Sequence, residues 1–247
     1  MNYDFKDQVV VVTGGTRGIG RGIALAFLKA GATVWATYAR NDQAAEEFKA
    51  SHAQYGDQLK LAKFDVGDSA GIKTFFEQLE KDSGRLDVLI NNSGIRKDNM
   101  LAMMPDEDWT SVLNTNLGGT FLMSKNAVPL MMKNRYGRIV NMSSIGGRLG
   151  LPGQANYAAS KAGQEAISKV LSKELGKRGI TVNNVLPGFI ETELIADLPE
   201  EQVKEYKKQV PLKRFGKIEE VAAAVMFLAS KDASYITGAS LEITGGL

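Results

Sequence analysis

The chain has 247 residues, 44% of them hydrophobic and 23% charged, with a formal net charge of +2. Such a composition suits a soluble globular protein with a substantial core, and the balanced charge gives no case for nucleic acid as a partner. The chain lacks cysteine and has one histidine, His52 in a polar stretch, which excludes disulfides and thiol nucleophiles and argues against zinc sites and a Ser-His-Asp triad.

Residues 1–7 (MNYDFKD) are acidic and polar, without the apolar core of a signal peptide. No apolar run approaches the length of a membrane span, so a cytoplasmic location and no membrane partner are expected. Residues 8–13 (QVVVVT) form a β-branched run, the pattern of a strand buried on both faces. The run leads into Gly14-Gly15-Thr16-Arg17-Gly18-Ile19-Gly20, after which Ile23, Ala24, Phe27 and Leu28 recur at helical spacing as far as Gly31. A strand, a glycine loop and a helix N-terminus together make a phosphate site, because bare glycines admit the ligand and unpaired N–H groups meet it. The spacing here is G-x-x-x-G-x-G, and a glycine turn without a ligand is the plainer reading.

Residues 33–38 (TVWATY) are a second strand. Folds that bind NAD usually place an acid at the end of this strand for the ribose 2′-hydroxyl. Tyr38-Ala39-Arg40-Asn41 offers none, so Arg40 and Arg17 point to the 2′-phosphate of NADPH/NADP, with Asp42 on a ribose as the alternative. A helix with Ala44, Ala45 and Phe48 precedes a strand at 59–64 that ends in Asp65-Val66. Ile72, Phe75, Phe76 and Leu79 mark the next helix, and residues 86–90 a fourth strand followed by Asn91-Asn92-Ser93-Gly94. That turn could stiffen the sheet, contact a ribose, or be a plain turn.

Residues 100–133 are helix-rich and include Asn114-Thr115-Asn116; an asparagine inside a helix raises the question of what Asn116 bonds. Pro129 is expected to kink this region. Arg138-Ile139-Val140 is a buried strand, followed by Ser144, a glycine-rich loop, and Tyr157 and Lys161 one helical turn apart. An ammonium beside a phenol favours phenolate and lowers its pKa from about 10, giving an acid/base, while Ser144 can hydrogen-bond the same substrate oxygen. Carbonyl reduction or its reverse is the chemistry suggested, although a Tyr-x-x-x-Lys also arises on any solvated helix face. A strand at 180–186, a Pro187-Gly188 break, helices at 199–209 and 218–229, and a strand at 241–243 complete the chain.

Seven strands alternating with helices, without linker or repeat, predict one doubly wound Rossmann-type α/β domain over 1–247. The sheet should be mostly parallel, ordered 3-2-1-4-5-6-7 with helices on both faces, and its ligands should lie at the strands' C-terminal edges.

The motifs TGGTRGIG (13–20), NNSG (91–94), NTN (114–116), Ser144, YAASK (157–161) and PGFIET (187–192) resemble, in order and spacing, the short-chain dehydrogenase/reductase family. Within it the chain is similar to bacterial 3-oxoacyl-[acyl-carrier-protein] reductases, through residues 153–157, 187–192 and 235–238. The resemblance implies that Tyr157 gives its proton to the carbonyl oxygen as hydride arrives from the nicotinamide, and that Lys161 holds the ribose. It also implies that Ser144 polarises the carbonyl and that Asn116 holds a water linking Lys161 to solvent. Asp65 and Val66 would flank the adenine, Asn92 and Gly94 the ribose, and Ile190 and Thr192 the carboxamide.

The implied function is NADPH-dependent reduction of a 3-oxoacyl thioester in fatty acid synthesis. Another ketone (a coenzyme A ester, a sugar or a steroid) and a dinucleotide-binding protein without turnover remain as alternatives. Residues 193–214 would form a substrate lid. An acidic acyl carrier protein is expected to dock on Arg135 and Arg178, helped by Lys133 and Lys177, in one patch near the active-site mouth. Relatives form tetramers, so a homotetramer is expected. Ser93 stands where alanine is usual, and the end at Gly245-Gly246-Leu247 is expected to alter subunit contacts.

Overall fold

Strand β1 (Val9–Val12) is four valines, all buried. Val10 and Val12 join one apolar cluster, with Ile23, Phe27, Val34 and Val225. Val9 and Val11 join the other, with Leu89, Met123 and Ile139. A strand sandwiched between two helical layers needs apolar residues at every position, which is why the run is continuous rather than alternating. Each fully buried valine contributes about 1.5–3 kcal/mol relative to exposure.

In this computed structural model residues 3–193 and 200–247 are described. The chain alternates in order: β1, α1 (Gly18–Lys29), β2 (Thr33–Tyr38), α2 (Asp42–Ser51), β3 (Leu59–Lys63), α3 (Ser69–Ser83) and β4 (Val88–Asn91). There follow α4 (Asp106–Leu113), α5 (Gly119–Asn134), β5 (Gly137–Met142), α6 (Gly146–Leu149), α7 (Ala155–Leu175) and β6 (Ile180–Pro187). The last elements are α8 (Glu200–Gln209), α9 (Ile218–Ala229) and β7 (Ser240–Ile243). The seven strands form one sheet in the order β3-β2-β1-β4-β5-β6-β7, and every pairing is parallel. Helices α1 and α9 pack on one face; α3, α5 and α7 pack on the other.

Fold class, strand order and the β2 and α9 bounds agree with the sequence reading; the other strand ends differ by at most two residues. Two features were not foreseen. Helix α5 runs through Pro129 without a break. Between α4 and α5 the backbone widens into a π-helical turn at Asn114–Gly118, a form that often marks functional sites. No helix among the described residues is long and apolar enough to cross a membrane.

Candidate active site

The loop after β1 is fastened to the end of β4. The Thr13 hydroxyl accepts from the backbone N–H groups of Asn92 and Ser93, both at 2.9 Å. The Asn92 amide donates to the carbonyls of Thr13 at 2.9 Å and Gly14 at 3.3 Å. The Asn92 side chain thus fastens the end of β4 to the loop after β1.

The loop fits a pyrophosphate. Gly14 and Gly18 have φ of +62° and +52°, in the left-handed region that disfavours side chains. A side-chain carbon on Gly20 would collide with the Gly14 carbonyl, so only glycine lets the first turn of α1 close on the loop. A carbon on Gly18 would meet nothing within 4 Å, which leaves the mouth of the loop open. Helix α1 begins there with no capping side chain and no acid in its first turn, so its N–H groups and positive dipole end remain available for an anion.

Arg17 and Arg40 are both exposed, one in this loop and one beyond β2. Among the described residues neither guanidinium has a hydrogen-bond or ion-pair partner. Asp42, the alternative ribose ligand, is engaged: it pairs with Lys63 at 2.6 Å, and Tyr38 hydrogen-bonds it. Lys63 first, and Tyr38 as well, hold its carboxyl below the usual range. Asp65 is exposed beyond β3, and its carboxylate caps the turn through Gly67 N–H at 2.9 Å, while Val66 is buried against Gly119.

The end of β5 and the start of α7 bring the reactive groups together. Gly146, between them, sits where a side-chain carbon would be 3.3 Å from Ser144 Oγ, 3.4 Å from Gln154 Oε1 and 3.5 Å from the Tyr157 ring. Gly147 beside it would stand 3.1 Å from Lys161 Cβ, so these two glycines let the loop lie flat on α7. The Ser144 hydroxyl acts on the Tyr157 phenol, lowering its pKa, and its oxygen also accepts the Gly146 N–H at 3.1 Å. Asn156 accepts the Tyr157 N–H at 2.7 Å and donates to the Lys97 carbonyl at 2.9 Å, fixing the helix start.

Lys161 is 4% exposed. Its ammonium donates to the Met142 carbonyl at 2.7 Å and to Gln164 Oε1 at 3.3 Å, and burial lowers its pKa from 10.5 to about 8. The expectation that the ammonium lowers the pKa of Tyr157 is not met in the chain by itself. Burial raises the phenol above its ordinary value, and the Ser144 hydrogen bond opposes that rise.

Asn116 answers the question its position raised. Its Oδ1 accepts from Ile95 N–H at 2.8 Å, and its Nδ2 donates to the Ile95 carbonyl and Ser160 Oγ, both at 3.0 Å. A carbon on Gly94 would lie 3.2 Å from Asn116 Oδ1 and 3.5 Å from Lys161 Nζ, so Gly94 keeps the space between them clear. Ile190 is buried and bridges to Gly216; Thr192 follows it half-buried. The proposed lid, 193–214, falls partly outside the described residues. Its helix α8 is held by Tyr206 stacking on Phe189 with ring centres 4.7 Å apart.

The sequence reading missed a buried polar ladder at this sheet edge. Asn91, Asn141, Asn184 and Ser240 lie in register across β4 to β7. Asn91 donates to Asn141 at 2.8 Å, Asn141 to Ser168 at 2.8 Å, and Ser168 to Asn184 at 2.6 Å. Three asparagines at the last turns of successive apolar strands were the available signal, since a buried amide must find partners.

The basic patch is where the sequence placed it along the chain, but not beside the mouth. Arg135 donates to the Lys177 carbonyl at 3.2 Å, so the two helix ends do meet. They precede β5 and β6, at the edge where those strands begin, whereas Tyr157 lies where β5 ends. Along α7 that is about 30 Å at 1.5 Å per residue. The reason is geometric: a crossover helix runs antiparallel to its strands, so its C-terminal end is always at the far edge. Lys133 is paired with Glu80.

A family model described as Enoyl-(Acyl carrier protein) reductase matches residues 14–247. The chain belongs to the short-chain dehydrogenase/reductase family. It is 46% identical over 242 residues to the 3-oxoacyl-[acyl-carrier-protein] reductase FabG of Haemophilus influenzae, covering 98% of each chain. To the protein of that name from Escherichia coli it is 43% identical over 244 residues, 99% of this chain and 98% of the other. To that of Aquifex aeolicus it is 42% identical over 247 residues, the whole of both.

Proposed function

We propose that this protein is an NADPH-dependent 3-oxoacyl-thioester reductase acting on substrates borne by an acyl carrier protein in fatty acid synthesis. The observation that carries the chemistry is the meeting of the Ser144 hydroxyl and the Tyr157 ring at Gly146, with the Lys161 ammonium over that ring. Two hydroxyls converging on one point suit a carbonyl oxygen. The substrate assignment is supported by the names and full-length identities of the relatives.

NADPH, held on the glycine loop, supplies the hydride. Ser144 donates a hydrogen bond to the ketone oxygen and fixes its position. Tyr157, kept protonated by burial, gives its proton to that oxygen as the alcohol forms, and the phenolate left behind is reprotonated from solvent. The ammonium of Lys161 has three N–H bonds and the protein takes two. The third is available for the nicotinamide ribose. Gly94 keeps the ribose approach open, with Asn92 fastening the turn beneath it. Val66 and Asp65 would flank the adenine, and Ile190 and Thr192 would meet the carboxamide. Arg17 and Arg40 take the 2′-phosphate, a role supported by their lack of other partners among the described residues and by the engagement of Asp42.

The same reading includes a cytoplasmic homotetramer, for which exposed Trp109, Phe121 and Val170 on α4, α5 and α7 offer apolar surface. Carrier docking on Arg135 and Arg178 then serves the site of a neighbouring subunit, because the subunit's own Tyr157 lies at the other sheet edge. NADPH consumption on adding a 3-oxoacyl thioester, with a panel of other ketones and with NADH alongside, tests the proposal. A protein that binds the cofactor and turns over nothing would overturn it.

A further inference from the structure

Among the described residues the Lys161 ammonium has no counter-ion, although it is buried. On its own helix Glu165 is occupied by Arg148 at 2.6 Å and Ser240 at 2.7 Å. In the 91–105 loop Arg96 pairs with Asp98 at 3.3 Å, and Lys97 with Asp108 on α4 at 2.7 Å. The Asn114–Gly118 turn has no charged residue, and the single charge on β5, Arg138, is at the strand's other end. The titratable neighbour is Tyr157, whose ring centre is 5.5 Å from Nζ. The acceptors that favour the charged amine are therefore the Met142 carbonyl and one side chain, that of Gln164.

Gln164 is fully buried and held at both ends. Its Nε2 donates to Thr120 Oγ1 at 2.6 Å and to the Asn116 carbonyl at 3.1 Å. Thr120 Oγ1 in turn donates to that same carbonyl at 2.8 Å. A carbonyl has two lone pairs, and both are occupied by these side chains. Both Nδ2 hydrogens of Asn116 are in use as well, on the Ile95 carbonyl and Ser160 Oγ.

We propose that Gln164 is a positioning residue for the reaction, an amide bridge that holds the Lys161 ammonium and couples it to the Asn116 turn. The proposal rests on the functional reading above for the role of Lys161. A buried amine keeps its proton only as far as its acceptors stabilise the charge. Gln164 thus sets the pH at which Lys161 loses its hold on the ribose.

The test measures NADPH binding by its fluorescence between pH 6 and 10, for wild type, Gln164→Leu and Gln164→Glu, with thermal melts to establish folding. In Gln164→Leu the alkaline limb should fall by about one pH unit, the scale of one hydrogen bond to a charge. The ratio of affinity at pH 9 to that at pH 6.5 should then drop roughly tenfold below the wild-type ratio. In Gln164→Glu a carboxylate beside the amine should move the limb upward. Thr120→Val, which removes the shortest anchor of the amide and leaves Gln164 in place, should shift the limb in the direction of Gln164→Leu if the leucine variant does not fold. Superimposed limbs in folded variants would overturn the proposal, since a structural glutamine would change affinity equally at every pH. The assay uses no ketone, so a wrong substrate leaves it intact; a wild type that binds no NADPH would overturn the functional reading and this inference together.

Discussion

The Lys161 ammonium lies over the Tyr157 ring, 5.5 Å from its centre. Cation and ring attract in this arrangement, and the ammonium's hydrogens are directed to the Met142 carbonyl and Gln164. The phenol stays protonated through its burial, which raises its pKa, while the nearby Ser144 opposes that rise. An acid held protonated is suited to giving a proton at neutral pH, the direction that reduction requires.

Replacing Tyr157 by phenylalanine removes that proton and little of the volume. Turnover should fall by about 10²–10⁴-fold, the usual worth of a general acid, while NADPH affinity changes little. Steady-state rates beside fluorescence titration of the cofactor check both halves; a near-normal rate would sink the mechanism.

Lys161→Met tests the cost of burying the ammonium. The folded pKa of Lys161, about 8, lies below its ordinary 10.5, so between those values the unfolded chain binds more protons and stability rises with pH. Below about pH 8 the penalty is fully present, at most roughly 3 kcal/mol. The methionine variant lacks that penalty, although it leaves two acceptors unpaired. At pH 6–7, without cofactor, it should melt no lower than wild type while losing activity and NADPH affinity. A melting temperature many degrees lower would contradict the assigned burial.

Arg17→Ala and Arg40→Ala should each narrow the preference for NADPH over NADH. A charge-assisted hydrogen bond to phosphate is worth about 1.5–3 kcal/mol, hence roughly a tenfold to hundredfold loss per arginine in the ratio of kcat/KM values. If both variants keep the wild-type ratio, the 2′-phosphate is read elsewhere.

Arg135→Glu with Arg178→Glu should raise KM for a carrier-bound substrate and weaken its dependence on salt. Because the patch lies at the sheet edge away from Tyr157, the same protein should reduce a small coenzyme A or pantetheine thioester at the wild-type rate. Equal losses on both substrates would remove the docking assignment.

Architecture was legible because the signals that encode it are repeated: apolar runs such as 9–12 and 33–38 each mark a strand, and glycines mark the turns between. The expected approach of Ser144, Tyr157 and Lys161 followed from the rule that loops after parallel strands share one edge. The polar ladder of Asn91, Asn141 and Asn184 escaped notice because its partners are 16 to 50 residues apart, and the bridge through Gln164 because its far end is on the Asn116 turn, 48 residues away. Spacing reveals neighbours on one helix, not across a sheet. The basic patch was misplaced for a related reason: sequence gave the adjacency of Arg135 and Arg178 and not the edge they occupy. The rise in the Tyr157 pKa was not foreseen because burial, its largest cause, is a property of the whole fold.

The central claim is tested most directly by mixing the purified protein with acetoacetyl thioester on acyl carrier protein and following absorbance at saturating NADPH, with NADH in a parallel cell. Rapid oxidation of NADPH, formation of the 3-hydroxyacyl product in equal amount and a much slower reaction with NADH are the predicted result. No product with NADPH, while another ketone is reduced readily, would contradict the assignment of the 3-oxoacyl thioester; equal rates with the two cofactors would contradict the roles given to Arg17 and Arg40.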